Sequence, residues 1–419
     1  MKHIRLISIL ILLAAAIAGS VVELSKQHER QHLKDHLIEL SKIKYGLFNV
    51  DEWKVILTDI ITEKVEELDI ADSDREEMHH RISEFLYKVI DDFETRYYEE
   101  NSKSVSGLFK SGVASITGTF DKLKEDIPTF TDQIIDFLKD ERNRDAIRGY
   151  LTEKLNEYAD NTFSETDYSL VEHIVEDHEQ DDRYSTASFL DNEVKRLHKE
   201  TKPYKILLIV IAFICGLLAV TLQNITRNEI LALIAVCFVY LFIGVQLPMI
   251  EIDARISEVT FSLMGESVAF TDQVLYYKSK SILEIVQLMV FQNRLDLIAV
   301  GILVLTFSVL FPATKLLSSV FYLFNPNVKS KRFFDFMIFR SGKWSMADVM
   351  VVAIFMAYIG FDGIISEQLR QMESIAKSID MITTNNSDLL FGFYAFVTFV
   401  LMSLILSHRL QKGVKVQAS

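Results

Sequence analysis

Cysteine, proline and glycine are scarce in this chain of 419 residues, which has 2 Cys, 5 Pro and 15 Gly. The two cysteines, Cys215 and Cys237, sit in separate apolar runs and no CxxC pair exists. A zinc ribbon and a dithiol redox centre are therefore excluded. With so few prolines and glycines there is no extended flexible linker. Also missing are GxSxG, HExxH, Walker and dinucleotide fingerprints. Nothing in the sequence supports an enzyme, and no cofactor is expected.

Charge is present but segregated. Residues 24–203 hold 42 acidic and 25 basic side chains, while the rest of the chain holds 16 acidic and 19 basic ones. A strongly acidic piece is joined to an oily, slightly basic one. Such an acidic surface excludes nucleic acid as a partner, because binding it requires positive charge to displace counterions.

Six apolar segments approach the roughly 20 residues that cross a bilayer core. They lie at about 5–23, 204–222, 230–250, 296–324, 345–366 and 389–407. The first is either a cleaved signal peptide or an uncleaved anchor, and the apolar run continuing through Val21 and Val22 favours the anchor. Placing the N-terminus inside leaves both strong basic clusters inside: Lys329, Lys331, Arg332, Arg340 and Lys343 in one loop, then Arg409, Lys412 and Lys415 in the tail. That arrangement satisfies the positive-inside rule and exports residues 24–203.

The expected fold is all-α. It is a polytopic bundle of about six spans with an acidic helical exported domain, divided as 1–23, 24–203, 204–409 and a basic tail at 410–419. Within the exported part, DEWKVILTDIITEKVEEL has helical spacing of its apolar residues. VSGLFKSGVASITGTF (105–120) reads as a buried helix, a hairpin or a surface-lying segment. His28, His32 and His36 share one helical face, a spacing that suits zinc or copper as well as a solvated stripe. The acidic EDHEQDD run (176–182) lacks the glycine-turned alternation of a calcium loop.

The most informative stretch is SVLFPATKLL, at 308–317. On a helix, Ser308, Pro312 and Lys315 fall on one narrow stripe. Pro312 has no N–H, so the Ser308 carbonyl loses its helical partner. Lipid cannot satisfy such a stripe, which belongs against other helices or a wet cavity. Snorkelling towards the inside would carry Lys315 past about 21 Å of apolar helix before Lys329 is reached. In the following span, Ser345 and Asp348 read as a capping box, and Asp348 is also a natural partner for Lys315 across antiparallel helices.

The motifs S-x6-K and P-x-x-K (Ser308, Pro312, Lys315), W-S-M-x-D-V (Trp344 to Val349) and LPMIEI (247–252) resemble the paraquat-inducible protein A family over residues 230–407. The resemblance implies a single four-span module in the bacterial inner membrane, with residues 24–203 in the periplasm. It further implies a lipid-handling role alongside MCE-type periplasmic tunnel proteins, with membrane lipids as the other partners. Ser308, Lys315, Ser345 and Asp348, with Thr383 or Thr384 as further members, then match an intramembrane polar network. Many members carry two modules and zinc ribbons, whereas this chain has one module, no ribbon and an added acidic domain. The alternative reading is a membrane-anchored scaffold or sensor of envelope state.

Overall fold

The computed structural model describes residues 2–46, 49–67, 75–103, 121, 123–138, 144–160, 167–221, 225–263, 266–292, 294–324, 347–375 and 380–418. The 105–120 segment lies outside the described residues.

Two helices of 39 residues each dominate the molecule: α1 (Lys2–Leu40) and α7 (Arg183–Thr221). At 1.5 Å per residue each is about 58 Å long, roughly twice a bilayer core. They pack along one another, so the same helix pair belongs to the membrane bundle at one end and to the acidic domain at the other. Between them in sequence lie α2 (Val50–Glu67), α3 (Arg75–Lys103), α4 (Ile127–Leu138), α5 (Arg144–Asp160) and α6 (Ser169–Asp177). The apolar faces of α2 to α5 meet in a core that includes Ile60, Ile82, Leu86, Ile134 and Ile147, all buried, while α6 packs through Val171 and Ile174 with Leu37, Leu40 and Leu190 of the long helices.

The bundle continues with α8 (Arg227–Gln246), started by a capping box in which Thr226 and Glu229 satisfy each other's backbone N–H. After Pro248 the chain turns into a hairpin, β1 (Ile250–Leu263) and β2 (Glu266–Lys280). Next come α9 (Ile282–Phe291), α10 (Leu295–Leu305), a π-helical turn (Thr306–Leu310) and α11 (Phe311–Phe324). The chain ends with α12 (Ala347–Ile375), β3 (Asp380–Asn385), β4 (Asp388–Leu389) and α13 (Phe391–Ala418). Among the described residues six helices are long and apolar enough to cross a membrane. The protein is mostly helical and multi-pass, as the sequence implies.

The sheet is the departure from an all-α expectation. Its order is β2-β1-β3, with β4 also on β1, and every pairing is antiparallel. The stretch IEIDARI alternates apolar and polar side chains, the pattern of a half-buried strand. A bulge after Ile256 leaves Ser257 out of the ladder and brings Val259 to the face Ile256 occupies. There Ile256, Val259, Val268 and Phe270 join the core of the acidic domain. At the base of the hairpin, Met249 and Ile282 belong to the core of the membrane bundle. The hairpin thus ties the two parts together.

Candidate functional site in the membrane bundle

The site begins with a backbone irregularity. Because Pro312 cannot donate to the Ser308 carbonyl, the preceding turn widens, and the Phe311 N–H reaches back five residues to the Thr306 carbonyl. Ser308, Pro312 and Lys315 are all buried around this turn. Lys315 is only 4% exposed. Its ammonium donates to the Ser403 hydroxyl on α13 at 3.1 Å. The Ser319 hydroxyl returns a bond to the Lys315 carbonyl at 2.9 Å, and the Ser407 hydroxyl bonds the Ser403 carbonyl at 2.8 Å. Ser318 is buried on the same helix, and Cys237 of α8 is fully buried in the bundle core.

Depth follows from neighbouring contacts. The Arg227 guanidinium lies 5.1 Å from the centre of the Phe324 ring, so the start of α8 is level with the end of α11. Lys315 is nine residues before Phe324, about 14 Å along the axis, and therefore near mid-span. A lysine at that depth is disfavoured by about 3 kcal/mol on insertion scales. Burial against Ser403 means that Lys315 does not snorkel to the end of the span.

Ser345 lies outside the described residues. Asp348 is in the first turn of α12, with its side chain outside them, so the expected Lys315–Asp348 pairing falls there too. Helix α12 itself packs against the π turn. Thr383 and Thr384 need correcting. They lie on β3, opposite Ile256 and Arg255 of β1, and the Thr384 hydroxyl sits 2.8 Å from that of Ser257. As β-branched residues on a strand ahead of the last span, they belong to the sheet. Ser403 escaped the sequence reading, although its signal was present: two serines four apart, Ser403 and Ser407, in an otherwise oily helix.

The histidine stripe is gathered in part. The His32 and His36 rings lie 4.3 Å apart, and His36 Nδ1 is 3.0 Å from Nε2 of His178, which follows α6. His28 is one turn earlier on α1. Among the described residues no group of three His, Cys, Asp or Glu is arranged to hold a metal ion.

A second polar cluster went unread in the sequence. Lys34 of α1 pairs with Glu251 and lies 3.6 Å from Asp253, both on β1. Arg255 bridges Asp253 at 2.7 Å and Asp272 at 3.0 Å. The Tyr277 phenol donates to Glu251 at 3.4 Å, and burial pushes that phenol well above its usual range.

Residues 274–370, from within β2 to within α12, match the family described as paraquat-inducible protein A. No curated protein and no solved structure gives a significant match to the chain. The matched stretch is shorter than the resemblance read from the sequence and leaves α8 and α13 outside it. It includes the π turn, Pro312 and Lys315, so the buried lysine lies inside the stretch that matches that family.

Proposed function

We propose that the protein is a non-enzymatic inner-membrane component of a lipid-handling system that moves lipid between membranes together with a periplasmic partner of the MCE type. Residues 24–203 form its periplasmic domain in this reading. The observation that carries it is the buried Lys315 near mid-span, inside the region that matches the family. A lysine held out of lipid by helix–helix contacts seldom serves stability alone, since apolar residues would pack there at lower cost. Opening and closing its contacts changes its solvation, and so couples proton occupancy to the arrangement of the helices.

The test is lipid co-purification and transport with wild type, Lys315→Met and Ser403→Ala. Loss of transport in Lys315→Met, with the protein still folded in the membrane, supports the reading. Unchanged transport and envelope-stress resistance overturn the coupling. A scaffold or sensor role is favoured instead if deletion leaves lipid traffic intact while the acidic domain crosslinks to a periplasmic protein of another type. The hairpin that joins both cores is the feature on which that second reading rests.

A further inference from the structure

Glu23, Gln27, Arg30 and Lys34 are spaced four, three and four residues apart on α1, so they form a column along one helical face. The column faces the junction of α1, α7 and the β1–β2 hairpin, closed off from solvent. Glu23 is 1% exposed, and Gln27 and Arg30 are 6% each. The upper end is satisfied by ion pairs. Lys34 meets Glu251 and Asp253, while Arg30 lies 3.7 Å from Glu251 and 3.4 Å from Nδ1 of His198.

The lower end is not satisfied. Neither Glu23 oxygen accepts a hydrogen bond, and the Gln27 amide nitrogen and Arg30 Nε have no acceptor. The hydroxyl of Ser279, opposite Glu251 in the hairpin, is also unpartnered. Lys205 of α7 has its ammonium 3.5 Å from Glu23 Oε1, an ion pair at the outer limit of hydrogen bonding. Native proteins leave few buried polar atoms in this condition, and those of Glu23, Gln27 and Arg30 share one face of α1.

The level of the column is fixed by packing. Gly19 lies against Leu208, whose carbonyl accepts from the Tyr240 hydroxyl. Tyr240 is six residues before the end of α8, and Glu23 is four residues beyond Gly19. Glu23 therefore stands within about 3 Å of the level at which the α8 span ends, where the bundle gives way to the sheet.

We propose that the Glu23–Lys205 pair is a proton-binding site at the rim of the membrane bundle, reached from the sheet side along the Gln27–Arg30 face of α1. An ionised carboxylate removed from water and given no hydrogen-bond donor is unfavourable, and taking up a proton removes the charge. The groups facing Glu23 are Arg30 on its own helix, Lys205 on α7 with His198 beyond Arg30, and Glu251 on β1. The two cations favour the carboxylate, and Glu251 offsets them through its pairing with Arg30 and Lys34. On uptake, one proton moves from sheet-side water to a Glu23 oxygen, and Lys205 is left without its counter-charge. Because Glu23 and Lys205 stand on different long helices, occupancy sets how firmly α1 and α7 hold together where they leave the bundle. The proposal does not depend on the role assigned to Lys315.

The test is infrared difference spectroscopy of the full chain in lipid nanodiscs, titrated from about pH 4 to about pH 9. The expected result is a protonated-carboxyl carbonyl band that titrates in wild type, vanishes in Glu23→Gln and persists in Lys315→Met. Its midpoint moves to higher pH in Lys205→Met, because a cation that favours the anion has been removed. A Glu23→Gln spectrum identical to wild type across that range overturns the proposal, as does a midpoint unmoved or lowered in Lys205→Met. If Glu23→Gln fails to fold, Glu23→Asp keeps the chemistry and shifts the band in frequency or midpoint. A band unaltered in Glu23→Asp is equally fatal.

Discussion

The ammonium of Lys315 on α11 donates to the hydroxyl of Ser403 on α13 at 3.1 Å, and the two residues are 4% and 5% exposed. Ser403→Ala takes away an acceptor that a buried charged donor is using, a loss of about 1.5–3 kcal/mol. A lower unfolding midpoint in detergent is expected for this variant. Lys315→Met should be closer to wild type in stability, because the charge that needed the acceptor is gone. Thermal unfolding of the two variants side by side checks both.

Pro312→Ala restores an N–H for the Ser308 carbonyl and removes the cause of the π turn. The helix should gain stability, while every residue before the turn rotates by about 100° relative to α11. Ser308 then leaves the inner face. Modification of Ser308→Cys by a membrane-permeant thiol reagent should be slow with Pro312 present and faster in the Pro312→Ala background.

Lys34 and Glu251 join α1 to β1 with side-chain exposures of 12% and 8%. Removing either partner leaves a buried charge, at about 3–5 kcal/mol. The charge-swapped double variant Lys34→Glu with Glu251→Lys should recover part of that loss. Full additivity of the two single effects would mean that the pair does not hold the hairpin to the helix.

Gly244 lies where α8 packs against the backbone of α13. A Cβ there would sit 2.8 Å from the backbone nitrogen of Phe396 and 2.9 Å from its Cα. Backbone cannot move aside as a flexible side chain can, so Gly244→Ala should force the helices apart, at about 1–3 kcal/mol. A reduced unfolding midpoint and weaker disulfide crosslinking between α8 and α13 are the measurements.

Asp182, just before α7, accepts from the Ser185 N–H at 2.7 Å. That bond holds its carboxyl below the usual carboxylate range. A depressed folded-state value adds stability at pH well above the unfolded value of about 3.9, and this is lost as pH falls through the folded value. Asp182→Ala should therefore unfold more readily than wild type at neutral pH, with the difference closing in acid.

Much of the architecture is legible in the amino-acid order because long apolar runs and segregated charge leave few alternatives. The six spans and the burial of Ser308, Pro312 and Lys315 follow from hydropathy and helical periodicity. The sheet was harder to see. IEIDARI alternates as a strand should, but it directly follows an apolar span, and so short an alternation is overshadowed by the hydropathy beside it. Thr383 and Thr384 were misplaced for the same reason, since a short edge strand before a span has no marker of its own. Ser403 and the column on α1 depend on which helices meet, and pairing between helices distant in sequence leaves no local trace. His28, His32 and His36 drew notice as a repeated residue type, while the mixed polar face nearby holds the denser set of contacts.

The length of α1 has a mechanical consequence. Its sequence contains no proline, and the helix runs unbroken from Lys2 to Leu40, so it behaves as a stiff rod about 58 Å long. Pivoting such a rod by ten degrees displaces its far tip by about 10 Å relative to its pivot. A pull on the acidic domain therefore reaches the opposite face of the bilayer as sideways travel, with no hinge in α1 to absorb it.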